Sequence, residues 1–192
     1  MAFCLENCAE FFDLVWGAQR AGLVYVAISC RLTASEIDYI LNDSGAKALF
    51  ASPYLGATLG QLDSPVKRYI LGGEHAGWES YAAAVADLQT SPIADERAGT
   101  DMLYSSGTTG QPKGCVLSHT YELAAGHWYA TQGGLGAVHE GTDRLYNPLP
   151  LFHVNASILS FYCMLLSGGC QVQTDRFQPG RWWAEVVESR AT

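Results

Sequence analysis

The chain has 192 residues, of which 48% are hydrophobic and 16% charged, with a formal net charge of -8. That supplies apolar material for the core of one domain, with few charges for a free-standing globule and a balance closer to the interior of a larger one. No run among its 11 basic residues forms a patch, which argues against a nucleic-acid surface, because neutralising phosphates takes clustered Lys and Arg.

Short β-like runs alternate with helical ones along the chain. Residues 2–5 read as a strand and 9–21 as a helix with Phe11, Leu14, Val15 and Ala18 on one face, stopped by Gly22. Residues 24–28 are the next strand. Thr33-Ala34-Ser35-Glu36 forms a capping box, and the helix it opens buries Ile37, Ile40 and Leu41 before closing near Gly45. Residues 48–50 and 68–71 are strands with a helix expected over 55–62 between them, and a further helix is expected over 78–88.

Residues 89–99 are polar and Pro-containing and read as a surface connection, which suggests sub-units 1–90 and 100–192 within one domain. Beyond it come a strand, a glycine-rich segment, a strand, a helix over about 118–133, a strand over 144–147, a helix, a strand over 170–173 and a last helix. This βαβα order predicts an α/β fold with a mainly parallel, doubly wound sheet and helices on both faces. Residues 154–170 are the most membrane-like stretch. Asn155, Ser157, Ser160 and Ser167 interrupt it and Gly168-Gly169 ends it, so a buried helix fits better than a membrane span. The N-terminus shows no basic segment followed by an apolar core, and no signal peptide is read there.

The cysteines (Cys4, Cys8, Cys30, Cys115, Cys163 and Cys170) form no CxxC, and no His stands at zinc-ligand spacing from a pair of them. They are expected as packed thiols in a reducing cytosol, Cys115 included, with Cys4 and Cys8 able to share a helix face.

Residues Tyr104-Ser105-Ser106-Gly107-Thr108-Thr109-Gly110-Gln111-Pro112-Lys113-Gly114 carry the clearest chemistry. Glycines leave backbone amides free to close round an anion. Ser105, Ser106, Thr108 and Thr109 add hydroxyl donors, and Lys113 adds a point charge. This composition reads as a polyphosphate clamp. It is not a Walker loop, because Pro112 stands where the second Gly should be and Gly114 where Ser or Thr should be. The GxGxxG dinucleotide fingerprint is also absent. An unrelated phosphate-binding α/β enzyme such as a kinase is disfavoured for the same reason.

The same stretch resembles the signature of the adenylate-forming superfamily of acyl-CoA synthetases, luciferases and peptide-synthetase adenylation domains. Leu5-Glu6-Asn7, Trp16-Gly17-Ala18, Tyr25-Val26-Ala27-Ile28 and the run from Ile40 to Lys47 are similar to the family's N-terminal domain in order and spacing. A second signature is Asn147-Pro148-Leu149-Pro150-Leu151-Phe152-His153-Val154-Asn155. In the family its counterpart borders the acyl pocket, which makes His153 the candidate for a catalytic residue near the carboxylate. His75, His119, His127 and His139 have no such context.

The resemblance implies an ATP-dependent acid–thiol ligase, with coenzyme A as co-substrate and Mg²⁺ accompanying the nucleotide. A carboxylate attacks the α-phosphorus of ATP, pyrophosphate leaves, and the coenzyme A thiol then displaces AMP. It gives Ser105, Ser106, Gly107, Thr108, Thr109, Gly110 and Lys113 the ATP phosphates to hold. The tail from Asp175 to Trp183 leans towards fatty-acid and carnitine/crotonobetaine-type ligases. The resemblance covers only part of the family's N-terminal domain, because no aromatic-Gly-x-Thr-Glu motif, Thr-Gly-Asp motif or C-terminal catalytic lysine is found. A cytoplasmic fragment without adenylation activity of its own, prone to self-association, is therefore expected. An inactive remnant acting as an interaction module, and a luciferase-like or peptide-synthetase activity, remain the alternatives.

Overall fold

A computed structural model describes residues 1–105 and 110–192. They form two compact units, Met1–Leu117 and Ser118–Thr192. The units do not part at the polar connection of residues 89–99, because the strand beyond it pairs back onto the first sheet.

In the first unit, β1 (Ala2–Cys4), β2 (Val24–Ala27), β3 (Ala48–Ala51), β4 (Lys67–Ile70), β5 (Glu79–Ser80), β6 (Thr100–Ser105) and β7 (Lys113–Val116) make a seven-stranded sheet in the order β5-β4-β3-β1-β2-β6-β7. Every neighbouring pair is parallel except β6 and β7. Parallel neighbours need crossovers, and the apolar periodicity supplies them. The class expected from the sequence is therefore the class observed.

Side chains alternate across a strand, so each face of the sheet acquires its own cover. On one face Phe3 meets Tyr25 and Phe50, and Phe50 stacks on Tyr69. Helix α1 (Glu10–Arg20) buries Phe11, Leu14, Val15 and Ala18 there, with Phe11 edge-on to Phe3. On the other face Ala2, Cys4, Val26, Ile28, Leu49, Ala51 and Ile70 join Ile37, Ile40 and Leu41 of α2 (Ala34–Asp43) in one core.

Both bonds of the capping box are present at the start of α2. The Glu36 amide donates to Thr33 Oγ1 at 3.4 Å, and the Thr33 amide donates to Glu36 Oε2 at 2.8 Å. At mid-helix, the Asp38 carboxylate accepts from the amides of Asp63 and Ser64, each at 2.9 Å, and so ties α2 to the chain leading into β4.

Two helices expected from the pattern differ. Residues 55–62 lie mostly in 3₁₀ turns over Pro53–Gln61, broken at Gly56 where φ is 53°. Residues 78–88 yield β5 and then a short helix, α3 (Tyr81–Val85). The Ser80 hydroxyl accepts from the Ala83 amide at 3.3 Å, which caps the helix late and frees Glu79 and Ser80 to pair with β4.

The second unit contains α4 (His119–Ala130), β8 (Arg144–Asn147), α5 (Phe161–Ser167), β9 (Cys170–Gln173) and α6 (Trp182–Ser189). β8 and β9 pair in parallel as a separate two-stranded sheet. Tyr146 of β8 donates to Glu185 of α6, and its ring meets Trp182 edge-on. Helices α4 and α5 meet at Gly126, where a Cβ would lie 2.4 Å from Tyr162 Cβ and 2.8 Å from the Tyr162 carbonyl carbon. One turn away Glu122, only 1% exposed, accepts from the Tyr162 hydroxyl at 3.0 Å and lies 2.9 Å from His119 Nδ1. A buried carboxylate needs such partners to offset the loss of water.

Cys4 closes β1 and so shares no helix face with Cys8. Cys4 and Cys163 are buried, whereas Cys115 is exposed and not packed as expected. It lies on β7, an edge strand exposed along its length, so no second layer covers it. A hydrogen bond with Cys30 and burial raise the Cys4 thiol, and burial is the main cause that pushes Cys8 up to about 11. Among the described residues no helix is long and apolar enough to cross a membrane.

Replacing Gly126 by alanine should lower unfolding stability by about 1–3 kcal/mol through overpacking, although alanine is the better helix former. Gly60, which has open space around its Cα, is the control, and its alanine variant should stay within about 0.5 kcal/mol by chemical denaturation. A small thiol reagent at neutral pH should modify Cys115 before Cys4 and Cys163. Peptide mass spectrometry finding Cys4 labelled first would contradict the burial order.

Candidate functional site

The glycine-rich segment leaves the sheet at the C-terminal end of β6, on the edge where the carboxyl ends of β1, β2, β3 and β4 also lie, since β6 runs parallel to β2. Open α/β sheets bind ligands outside the carboxyl ends of their strands. The chain then returns antiparallel as β7, with Ser105 opposite Lys113 and Tyr104 opposite Gly114. The segment is thus the connection of a β-hairpin.

Of the candidate phosphate ligands, Ser105, Gly110 and Lys113 are described, and all three are exposed. The register pairs Ser105 with Lys113 across the mouth of the hairpin, so both side chains leave the same face of the two strands. Gly110 has φ of 102°, a conformation that side chains other than hydrogen rarely adopt. No described residue is ion-paired with Lys113, which leaves its charge available to an anion. Ser106, Gly107, Thr108 and Thr109 lie outside the described residues.

His153 belongs to the second unit and is exposed. It sits on a turn between β8 and α5, where its amide donates to the Pro150 carbonyl at 3.0 Å. Its own carbonyl accepts from the Ser157 hydroxyl at 3.2 Å, and Nδ1 accepts from the Asn155 amide at 3.4 Å. An accepting Nδ1 puts the proton of the neutral ring on Nε2, which is then a donor. A π-helical run over Asn155–Ser160 follows directly, and such widened turns occur often at functional sites.

Three amide side chains that the sequence reading did not single out frame this turn. Asn147 Oδ1 accepts from the Leu149 amide at 2.9 Å, and Gln173 donates to the Leu149 carbonyl at 2.8 Å. Gln171 donates to the Ala156 carbonyl at 3.3 Å and to Gln173 Oε1 at 2.8 Å. Their signal was present: two glutamines at alternate positions of a short strand share one face. Nothing in the sequence told which carbonyls they would meet.

These donors suit anionic oxygens. The stem offers hydroxyl, amide and ammonium groups, while the nearby Asp43 carboxylate is engaged by Tyr104. That set does not fit a divalent cation, and no residue of this chain is assigned to one.

A sequence model of the AMP-binding enzyme family matches residues 1–192. The long-chain-fatty-acid–CoA ligase FadD13 of Mycobacterium tuberculosis is 34% identical over 202 residues, covering 99% of this chain and 37% of that protein. The crotonobetaine/carnitine–CoA ligase of Citrobacter koseri is 28% identical over 206 residues, covering 100% of this chain and 39% of that protein. The chain thus spans less than two-fifths of the length of these curated relatives. Among solved structures, the inhibitor-bound N-terminal domain of FACL13 from Mycobacterium tuberculosis matches with a TM-score of 0.81 at 30% identity, covering 99% of this chain and 47% of that one. Sequence and structure agree on a mainly parallel sheet with helices on both faces, and the family match runs from the first residue to the last: the chain belongs to the AMP-binding enzyme family.

Proposed function

We propose that this chain is the nucleotide-loop-bearing part of an ATP-dependent acyl-CoA ligase, which converts a carboxylic acid to its acyl-adenylate and passes the acyl group to coenzyme A. The observation that carries the reading is the pairing of Ser105 with Lys113 at the carboxyl edge of the sheet, in a hairpin whose connection is rich in Gly, Ser and Thr. The acids named for the relatives support a fatty-acid or carnitine/crotonobetaine-type substrate.

The difficulty in this chemistry is bringing a carboxylate to a triphosphate. Lys113 Nζ offsets phosphate charge and the Ser105 hydroxyl donates to a phosphate oxygen, with Gly110 part of the same segment. Ser106, Gly107, Thr108 and Thr109 are assigned by sequence to that task. These groups stabilise and orient charge and form no covalent bond with the substrate. His153, with Nε2 as donor, is assigned by sequence to an oxygen of the substrate carboxylate. Mg²⁺ is taken as arriving with the nucleotide.

Attack of the carboxylate oxygen on the α-phosphorus breaks the bond to the β-phosphate oxygen and releases pyrophosphate. The thiol of coenzyme A later displaces AMP from the acyl carbon. The chain corresponds to less than two-fifths of its curated relatives, so binding of nucleotide without turnover is the expected behaviour of these 192 residues.

Calorimetric titration with ATP should show saturable binding by the chain. Lys113→Ala should weaken it by about tenfold or more, the scale of one lost charge-assisted hydrogen bond. Equal affinity in the two proteins would remove Lys113 from the site. Acid-dependent exchange of pyrophosphate into ATP should be undetectable in the same preparation, and measurable exchange would show that the chain turns over by itself.

A further inference from the structure

The stem of the candidate nucleotide hairpin is tied to α2 at two points. On β6, the Tyr104 hydroxyl donates to Asp43 Oδ2 at 2.6 Å. Immediately before β7, the Pro112 carbonyl accepts from the Tyr39 hydroxyl at 3.2 Å. Tyr39 and Asp43 stand four positions apart on α2, so they project from one face of the helix, and they reach different strands of the stem.

The partner strand is shaped to admit the tie. Gly114 is opposite Tyr104 in the register, and a Cβ there would lie 3.0 Å from ring carbons of Tyr104 and 2.9 Å from Met102 Sδ. The ring therefore covers the backbone of β7 where a side chain would otherwise stand. Because β7 is an edge strand with every residue exposed, it has few other restraints beyond its ladder with β6.

Helix α2 is a firm anchor for such a tie. Its first turn carries the capping box, its inner face is in the core, and Asp38 binds the amides ahead of β4. Burial, and then the bond to Asp43, push the Tyr104 phenol well above its usual range, so it stays protonated and able to donate.

We propose that Tyr39, Asp43 and Tyr104 are positioning residues for nucleotide binding: they fix the points at Ser105 and Lys113 where the hairpin connection begins and ends, so that the donors are set before the triphosphate arrives. The inference rests on reading this hairpin as the ATP-phosphate site. Its energetic content is preorganisation, since donors already held in place lose less freedom on binding. Their bonds run to Pro112 and to one another, so they act through the stem of the hairpin.

The test is ATP affinity by calorimetry, with thermal unfolding measured alongside. Tyr104→Phe keeps the ring over Gly114 and removes only the hydroxyl, and Asp43→Ala removes the acceptor. Both should weaken ATP by about tenfold, the scale of losing one hydrogen bond to a charged group. Asp43→Asn keeps an acceptor oxygen and should return affinity to within about twofold of the parent chain, a rescue that a general loss of stability does not produce. Tyr39→Phe, which releases the Pro112 end, guards against Asp43→Ala failing to fold and should weaken binding in the same direction. Folded Tyr104→Phe and Tyr39→Phe proteins with parental affinity would overturn the positioning role while leaving the nucleotide reading intact. A folded parent chain that does not bind ATP would instead overturn the nucleotide reading, and the positioning role with it.

Discussion

Ala2, Phe3 and Cys4 are each excluded from solvent, and they point alternately to two different layers. Phe3 lies in the aromatic row that α1 covers, and Ala2 and Cys4 lie in the aliphatic layer closed by α2. A central strand buried on both faces needs a helix on each side, and parallel neighbours need those helices as crossovers. The order of strands and helices in the first unit follows from that requirement. One further result is that the carboxyl ends of the parallel strands share an edge, and the hairpin with Ser105 and Lys113 leaves from it.

What could be read from the sequence was what depends on local periodicity. Phe11, Leu14, Val15 and Ala18 mark the face of α1 by spacing alone, and Thr33 with Glu36 marks the start of α2 because a capping box is closed within four residues. Partnerships across distant segments carry no such signal. Residues 78–88 were expected as one helix, but Glu79 and Ser80 pair with the open edge of β4, a contact no local pattern encodes. Cys115 was expected to pack, yet it lies on an edge strand that is exposed along its length. The separation of β8 and β9 into their own sheet was equally hidden, since a βα alternation reads the same whether the strands join one sheet or two.

The candidate site divides along the same line. Residue types that bind phosphate could be recognised because Gly, Ser, Thr and Lys each have a stated reason to be there. The second layer could not. Gln171 and Gln173 on β9 look like ordinary strand residues until their amides are seen to hold the carbonyls of Ala156 and Leu149 on either side of the His153 turn. In α2, Asp43 would pass for a solvent-facing residue and Tyr39 for a half-buried aromatic packed on the core, yet each bonds to the hairpin stem.

Both candidate elements follow one physical rule. A donor-bearing segment binds an anionic substrate better when its ends are held in place beforehand, because each donor that must be ordered on binding subtracts from affinity. At the hairpin the holding is done by phenol hydroxyls from a capped helix with one face in the core and from the strand itself. At the His153 turn it is done by side-chain amides of two adjacent parallel strands. In each case the groups offered to substrate are exposed while their supports are hydrogen-bonded to backbone or to one another. That arrangement keeps the exposed donors few and places the structural burden on residues bonded to the backbone around them.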